Sequence, residues 1–176
     1  MAISFRKRLG MVISVFILGV GTTVPAGATT FPGQNGAIAY EQGYPTRIAT
    51  VDPMTGTTSR LAGAGAYQPV WSPDGKRLAY VRGAFIFVMS ATGKDMYHIP
   101  HSEGLTDASP TWSADGSKLA FVRTRQDGQS AVASVRIGSH SVVILSGWSN
   151  DKKYRAPSWS PDGRNVVYEE YDAVSA

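Results

Sequence analysis

The stretch "PVWSPDGKRLAYV" at residues 69–81 is written three times along this chain with small changes. It returns as "PTWSADGSKLAFV" at residues 110–122 and as "PSWSPDGRNVVYE" at residues 157–169. The tryptophans of the copies, Trp71, Trp112 and Trp159, are 41 and 47 residues apart. A period of roughly 20–50 residues is typical of proteins that stack one small unit on the next. This spacing leaves room for four short strands in each unit.

Each copy contains a tight turn followed by an apolar strand. In Ser72-Pro73-Asp74-Gly75 the proline presets its φ angle, the aspartate can accept bonds from nearby backbone, and the glycine tolerates the left-handed region. The segments after the turn, "RLAYV", "AFIFVMS" and "DMYHI", read as three further strands. The strand "RLAYV" is apolar on both faces, which indicates sheets packed face to face rather than a sheet with one wet face.

The pattern predicts an all-β fold, a partial β-propeller of about three to three and a half four-stranded antiparallel blades. The repeats lie near residues 35–61, 66–99, 107–145 and 154–171. The first repeat lacks its first strand and the last offers only two, which gives 13 predicted strands. An incomplete ring leaves blade faces and edges uncovered. We therefore expect an open arc that dimerises or aggregates.

The first thirty residues differ from the rest. A basic cluster, "FRKR" at residues 5–8, is followed by a short apolar run at residues 9–20 and by the small residues "AGA" at 26–28. This order is typical of a secretory signal peptide, and the apolar run is shorter than the roughly twenty residues that span a bilayer. We predict a signal-peptide helix at residues 1–28, cleavage after Ala28, and an exported protein, secreted or periplasmic, with no membrane span after cleavage.

The charge balance gives little reason to expect a nucleic-acid partner. The chain has 17 basic and 13 acidic residues, and removing Arg6, Lys7 and Arg8 with the signal leaves 14 and 13, a net charge of +1. A near-neutral domain without a basic stripe does not fit nucleic-acid binding. There is no cysteine, so neither disulfides nor thiolate chemistry is available.

The three Pro-x-Trp-Ser-Pro-Asp-Gly copies resemble the repeat of TolB-like β-propellers. Only the second copy departs, with Ala114 in place of the proline. The resemblance covers essentially all of residues 31–176 and implies an incomplete TolB-like propeller domain at residues 29–176. Members of this family usually close a ring of about six blades, so the resemblance also places ring closure in question. It implies a scaffold-like binding role within a cell-envelope complex rather than catalysis.

Candidate binding residues come from the variable loops. In an up-and-down blade the connections between strands two and three, and those between blades, emerge on one side, and here these segments vary whereas the others repeat. Loops on a rigid scaffold are where recognition concentrates, and aromatic and arginine side chains are typical anchors. The predicted binding residues are Tyr44, Tyr67, Asp107, Arg125, Trp148, Tyr154 and Arg155, with Lys152 and Lys153 on the same side.

The residues that recur in register are predicted to be structural. Sugar stacking by the tryptophans and calcium binding by the turn aspartates are the alternatives. One aspartate per turn cannot assemble the six to eight oxygens that calcium takes, and a binding residue need not recur in every blade. The predicted structural set is Trp71, Asp74, Gly75, Trp112, Asp115, Gly116, Trp159, Asp162 and Gly163.

Signals for catalysis are weak. His98 and His101 are residues of a type that binds metals, and Glu103 is a possible third ligand. Alternation along a strand is expected to point the two rings to opposite sides. We therefore predict that the two histidines are exposed loop residues rather than metal ligands. The segment at residues 147–151, "GWSND", lacks the second glycine of a nucleophile elbow. We predict no catalytic residue, no metal and no cofactor.

Three functional hypotheses follow. The first is an exported, non-enzymatic propeller module that binds a protein or cell-envelope component through its variable loops, with a homo-oligomer as a further partner hypothesis. The second is a carbohydrate-active enzyme of the metal-assisted lyase type using His98, His101 and acidic loop residues. The third is a truncated copy of a longer propeller with no independent role.

Overall fold

The computed structural model describes residues 36–94 and 96–173, and within these ranges every regular element is a β-strand. The predicted signal-peptide helix at residues 1–28 lies outside the described residues. The strands are β1 (Ile38–Gln42), β2 (Arg47–Val51), β3 (Thr58–Ala62), β4 (Ala66–Trp71), β5 (Arg77–Arg82), β6 (Phe85–Ser90), β7 (Tyr97–His98), β8 (Leu105–Trp112), β9 (Lys118–Arg125), β10 (Ser130–Arg136), β11 (Val142–Ile144), β12 (Lys152–Trp159) and β13 (Val166–Asp172).

The strands form four antiparallel sheets in which sequence neighbours are also neighbours in space. Sheet I holds β1–β3, sheet II holds β4–β7, sheet III holds β8–β11 and sheet IV holds β12–β13. This meander of three, four, four and two strands confirms the predicted all-β, partial propeller arrangement. Sheets of this kind arise because each apolar strand is followed by a turn too short for a crossover connection.

Both faces of the central sheets are buried, as the two-sided apolar pattern predicted. Leu78 and Tyr80 on β5 pack in a cluster with Ile48 of sheet I. Ala79 and Val81, on the opposite face of β5, belong to the cluster shared with sheet III. A sheet buried on both faces is stable only between two neighbours, which is why the four sheets stack in sequence.

The repeated turns are held by one hydrogen-bond pattern. Ser72 Oγ donates to Asp74 Oδ1 at 2.6 Å, and the same carboxylate accepts the Lys76 N–H at 3.1 Å. Gly75 has φ +68°, the region that glycine adopts without steric cost. Ser113 with Asp115 and Ser160 with Asp162 repeat these bonds at 2.6 and 2.5 Å. The hydrogen bond from Ser72 lowers the pKa of Asp74 because it favours the charged carboxylate.

The register tryptophans lie between sheets. Trp112 is buried, and its Nε1 donates to the Val70 carbonyl of sheet II at 3.1 Å. The Arg77 guanidinium lies 4.9 Å from the Trp112 ring, and its Nη2 donates to the Gly116 carbonyl at 2.9 Å. Arg77, the first residue of the second strand of sheet II, thus contacts both the tryptophan and the turn glycine of sheet III. We call these two contacts of one basic side chain an inter-sheet clamp.

The same clamp recurs one sheet later, and sequence reasoning missed it. Lys118 Nζ lies 5.1 Å from the Trp159 ring and donates to the Gly163 carbonyl at 3.3 Å. Trp71 packs at the edge of the cluster between sheets I and II. The three tryptophan rings therefore contribute to packing between sheets.

A bulge interrupts the first strand of sheets II, III and IV at the residue before the motif proline. Gln68, Ser109 and Ala156 have φ of 51°, 55° and 48°. The strand registers shift there, which lets a proline lie inside a strand because the lost N–H is not needed in the ladder. The Gln68 N–H donates to Glu41 Oε1 at 2.8 Å, and Gln68 Oε1 accepts the Ser109 N–H at 2.7 Å. These bonds join consecutive sheets.

Candidate recognition face

The candidate site is the side of the molecule that carries the variable connections, here called the recognition face. It comprises the loops at residues 43–46, 83–84 and 126–129 and the connections between sheets at residues 63–65, 99–104 and 145–151. Antiparallel meanders place alternate connections at opposite ends of the strands, so these segments share one end of every sheet. The repeated Ser-x-Asp-Gly turns lie at the other end.

The best-formed part of this face joins two loops of sheet III. The Arg125 guanidinium lies 3.8 Å from the ring of the half-buried Trp148 and donates to Gln129 Oε1 at 2.8 Å. Ser130 and Ser149 exchange backbone hydrogen bonds of 2.9 and 3.1 Å, which ties the two loops together below the stacked pair. Stacking and pairing hold Arg125 and Trp148 in a fixed arrangement, and a fixed side chain loses less entropy on binding.

The remaining exposed candidates surround this pair on neighbouring loops and strands. Lys153 Nζ donates to the Gly128 carbonyl, and Lys152 Nζ donates to Asp172 Oδ1 at 2.6 Å. Arg155 is exposed, pairs with Glu169, and lies 5.0 Å from the Tyr171 ring. The basic side chains on β12 are therefore committed to partners within the chain.

Two of the predicted binding residues, Tyr44 and Tyr67, differ in exposure. Tyr44 is fully exposed on the loop of sheet I. Tyr67 lies in β4, partly buried, and its hydroxyl donates to the Gly83 carbonyl at 3.4 Å. Tyr44 is thus free for contact from solvent, whereas Tyr67 supports the loop of sheet II.

Five of the seven predicted binding residues lie in strands rather than in loops, and two of them, Tyr154 and Asp107, are buried; the five are Tyr67, Asp107, Arg125, Tyr154 and Arg155. Tyr154 is in β12, is buried, and packs with Val122 and Val132 of sheet III. The strand β12 begins at Lys152, because residues 152–155 pair in register with Asp172–Glu169. The expected loop position of Tyr154 was therefore wrong.

The predicted loop position of Asp107 was also wrong. It lies in β8 with no exposed surface, and the Arg123 guanidinium holds it with bonds of 2.7 Å from Nε and 2.7 Å from Nη2. Arg123 Nη2 also donates to the Pro100 carbonyl at 2.8 Å. Burial raises the pKa of Asp107 above its ordinary value, and the bonds from Arg123 oppose that rise. The pair fixes the 99–104 connection to sheet III rather than facing a partner.

The histidines are not both exposed: His98 in β7 is exposed, whereas the side chain of His101 is largely covered. The His98 and His101 rings lie 5.5 and 4.3 Å from the Phe85 ring, so both pack against one side chain. The His101 side chain is 5% exposed, and its Nε2 lies 4.0 Å from Asp107 Oδ2. Among residues 36–94 and 96–173, no group of three or more His, Cys, Asp or Glu side chains, Glu103 included, is arranged to hold a metal.

The TolB beta propeller domain matches this chain over residues 15–175. The chain belongs to the TolB β-propeller domain family. No significant match to a curated protein is found. Within the described ranges, no helix is long and apolar enough to cross a bilayer.

Solved structures share the TolB β-propeller fold with this chain. The "putative TolB from Agrobacterium tumefaciens" is 21% identical, with a TM-score of 0.63 over 78% of this chain and 55% of that one. An oligogalacturonate lyase in complex with manganese is 19% identical, with a TM-score of 0.55 over 67% of this chain and 34% of that one. A chain of a nidogen/laminin complex is 10% identical, with a TM-score of 0.63 over 78% and 54%.

These similarities bear on fold alone. The chain spans about a third of the lyase and about half of the TolB structure. Their names cover a lyase, a putative TolB and a chain of a nidogen/laminin complex, so the propeller fold does not select one activity. The functional argument therefore depends on the residues of the recognition face.

Proposed function

We propose that this TolB-family chain is a non-enzymatic, exported propeller module that binds a protein or cell-envelope component through its recognition face. The observation that carries the proposal is the stacked pair formed by Arg125, at the end of β9, and Trp148, in the 145–151 connection. Tryptophan and arginine are the side chains most enriched at the energetic centres of protein interfaces. Here they are pre-arranged, with the fully exposed Tyr44 on another loop of the same side.

The buried groups next to this face favour binding over catalysis. The Asp107 carboxylate is bonded twice to Arg123, and His101 is packed against Phe85. A general acid or base must reach its substrate within hydrogen-bonding distance, and these groups are covered by their own neighbours. The metal-assisted lyase hypothesis has less support, because in the part of the chain that the structure describes no group of three or more His, Cys, Asp or Glu side chains is arranged to hold a metal.

The proposal is tested by comparative capture from cell-envelope fractions with the purified chain as bait. Trp148→Ala and Arg125→Ala remove the stacked pair, and Thr55→Ala on a turn at the opposite end of sheet I is the matched control. We expect one set of partners to be captured by the original chain and by the control. The two face variants are expected to lose those partners by about tenfold or more, as for a central interface residue.

Binding must then be reconstituted with the isolated partner, because capture alone does not show direct contact. Equal capture by Trp148→Ala and the unchanged chain would refute the role of this pair. Recovery of no partner by folded bait would refute the binding role itself. Stoichiometric, tightly held metal in the purified protein would favour the lyase hypothesis instead.

A further inference from the structure

Arg82, at the recognition-face end of β5, occupies the position in sheet II that Arg123 occupies in sheet III. Both arginines end the same pattern of residues, "RLAYVR" in one sheet and "KLAFVR" in the other. On the neighbouring first strands, Asp107 is opposite Arg123 and Ala66 is opposite Arg82. Side chains directly opposite each other in an antiparallel pair lie on the same face of the sheet. The repeat therefore has an arginine at both positions but a carboxylate beside only one of them.

The charge of Arg82 is not balanced within the described part of the chain. None of the ion pairs formed there includes Arg82. Ala66 is fully buried and its methyl group offers no acceptor. Glu41, at the same end of the neighbouring sheet, is bonded to the Gln68 N–H at 2.8 Å instead. The donors of the Arg82 guanidinium therefore remain available to an acceptor from outside the chain.

The Arg82 side chain is held beside an exposed aromatic ring. Its Cζ atom lies 4.7 Å from the Phe87 ring, which is a cation–π contact, and the residue is half-buried. Phe85 is directly opposite Arg82 on β6, is 37% exposed, and has its ring 6.3 Å from that of Phe87. A pre-arranged guanidinium next to apolar surface suits a charged group attached to an apolar one. We call Arg82, Phe85 and Phe87 the Arg82 site.

We propose that the Arg82 site binds a carboxylate of an acidic segment of the partner, which is a protein, with an apolar neighbour of that carboxylate packed on Phe85. The inference rests on the proposed function and specifies the chemistry of the partner. The chain itself shows what an arginine at this position binds, because Arg123 holds Asp107 by two hydrogen bonds of 2.7 Å. A planar guanidinium matches two carboxylate oxygens in this geometry. In sheet II the partner supplies the group that Asp107 supplies in sheet III.

Partial burial makes this contact stronger than an ordinary surface ion pair. Exposed pairs contribute little, because water screens the charges and both side chains lose freedom. Arg82 is half-buried and already held against Phe87, so it is less screened and loses less freedom when a carboxylate binds. The exposed part of Phe85 adds apolar area next to the charge. We therefore expect the Arg82 site to be an anchor of the interface rather than one of its rim contacts.

The test measures peptide binding to the purified chain by fluorescence anisotropy. The probe is a fluorescein-labelled decapeptide of alternating glutamate and leucine, and its control has glutamine in place of glutamate. Arg82→Met keeps the side-chain stem against Phe87 but removes the charge, so we expect probe binding to weaken by about tenfold or more. Arg82→Lys, which keeps the charge without the planar fork, should bind with intermediate affinity. Arg60→Met, at an exposed arginine of β3, is the matched control and should bind like the unchanged chain.

Ala66→Asp provides a sharper test, because it places in sheet II the carboxylate that sheet III has opposite its arginine. The added carboxylate should pair with Arg82 and exclude the probe, so we expect binding to fall as far as in Arg82→Met. Ala66→Ser adds a polar group without charge at the same buried position and should bind like the unchanged chain. Circular dichroism shows whether each variant is folded. Folded Ala66→Asp that binds the probe as tightly as the unchanged chain would overturn the proposal, and so would Ala66→Asp that does not fold, because positions 66 and 107 would then not be equivalent.

Other results would also overturn the proposal. They are equal binding by Arg82→Met and the unchanged chain, equal binding of the glutamate and glutamine peptides, and no saturable binding with the protein at up to about 1 mM. Phosphatidylglycerol vesicles that bind through Arg82 while the peptide does not would assign the site to a membrane surface instead. A partner captured equally by Arg82→Met would leave the proposed function standing without this inference. Failure to capture any partner, with the probe bound through Arg82, would refute the proposed function while supporting the carboxylate site.

Discussion

Removing the guanidinium of the buried Asp107–Arg123 pair should destabilise the protein strongly. Asp107 is fully buried and receives two bonds of 2.7 Å from Arg123. Arg123→Met keeps most of the side-chain volume but leaves the carboxylate without its cation and the Pro100 carbonyl without a donor. Removing one partner of a buried ion pair lowers the free energy of unfolding by about 3–5 kcal/mol. Native stabilities are about 5–15 kcal/mol, so the variant should still fold but near the margin.

The double variant Asp107→Leu, Arg123→Met is the matched control. Replacing both ions by apolar side chains removes the buried charge, so we expect it to be more stable than Arg123→Met by about 2 kcal/mol or more. Urea unfolding at neutral pH gives both free energies. A loss below about 1 kcal/mol in Arg123→Met, or a double variant less stable than the single one, would refute the reasoning.

The pH dependence of Arg123→Met gives an independent check. Burial raises the folded-state pKa of Asp107, so between its unfolded and folded pKa values the folded state binds more protons. Stability from this group is therefore present at low pH and is lost as pH rises through the folded pKa. Without the arginine the raised pKa should rise further. We expect the penalty of Arg123→Met to shrink as pH falls from neutral, and a penalty independent of pH would contradict this account.

The other predictions concern the repeated turns and clamps. The hydrogen bond from Ser113, with those from Ser117, holds the pKa of Asp115 well below its ordinary value of 3.8, so its stabilisation is present above that pH and is lost below it. Asp115→Asn should thus have a lower urea midpoint than the unchanged chain at pH 7, and the difference between the two midpoints should be smaller near pH 3. A difference that does not change with pH would contradict stabilisation by the charged Asp115 carboxylate. Arg77→Ala should cost about 1–2 kcal/mol by removing the contacts to the Trp112 ring and to the Gly116 carbonyl, measured by thermal unfolding against the exposed Arg60→Ala. Equal melting of the two arginine variants would contradict the clamp.

Local chemistry in the sequence was sufficient to predict the strand order. The turn "SPDG" fixes where a strand ends, and the two-sided apolar strand after it requires a sheet on either side, so the meander followed from residues 69–81 and their copies. The bulges at Gln68, Ser109 and Ala156 were not predicted. Their signal is the proline inside each first strand, which excludes an ordinary ladder position.

The site was predicted less well because loop boundaries depend on pairing partners far along the chain. Arg125 and Trp148 were both selected from variable loops, but their stacking joins segments about twenty residues apart and requires the strands between them to be in place. Asp107 and Tyr154 were assigned to loops because they lie in variable segments between the repeated motifs. Burial of Asp107 depends on Arg123, whose position opposite it is set by the register of β8 and β9.

The sequence by itself determined the repeating unit, because turn geometry and two-sided apolarity act within a dozen residues. Only the tertiary structure decided which side chains are buried against which neighbours. Contacts such as Arg77 on Trp112 and Asp107 with Arg123 join residues that meet only after sheets have formed and stacked.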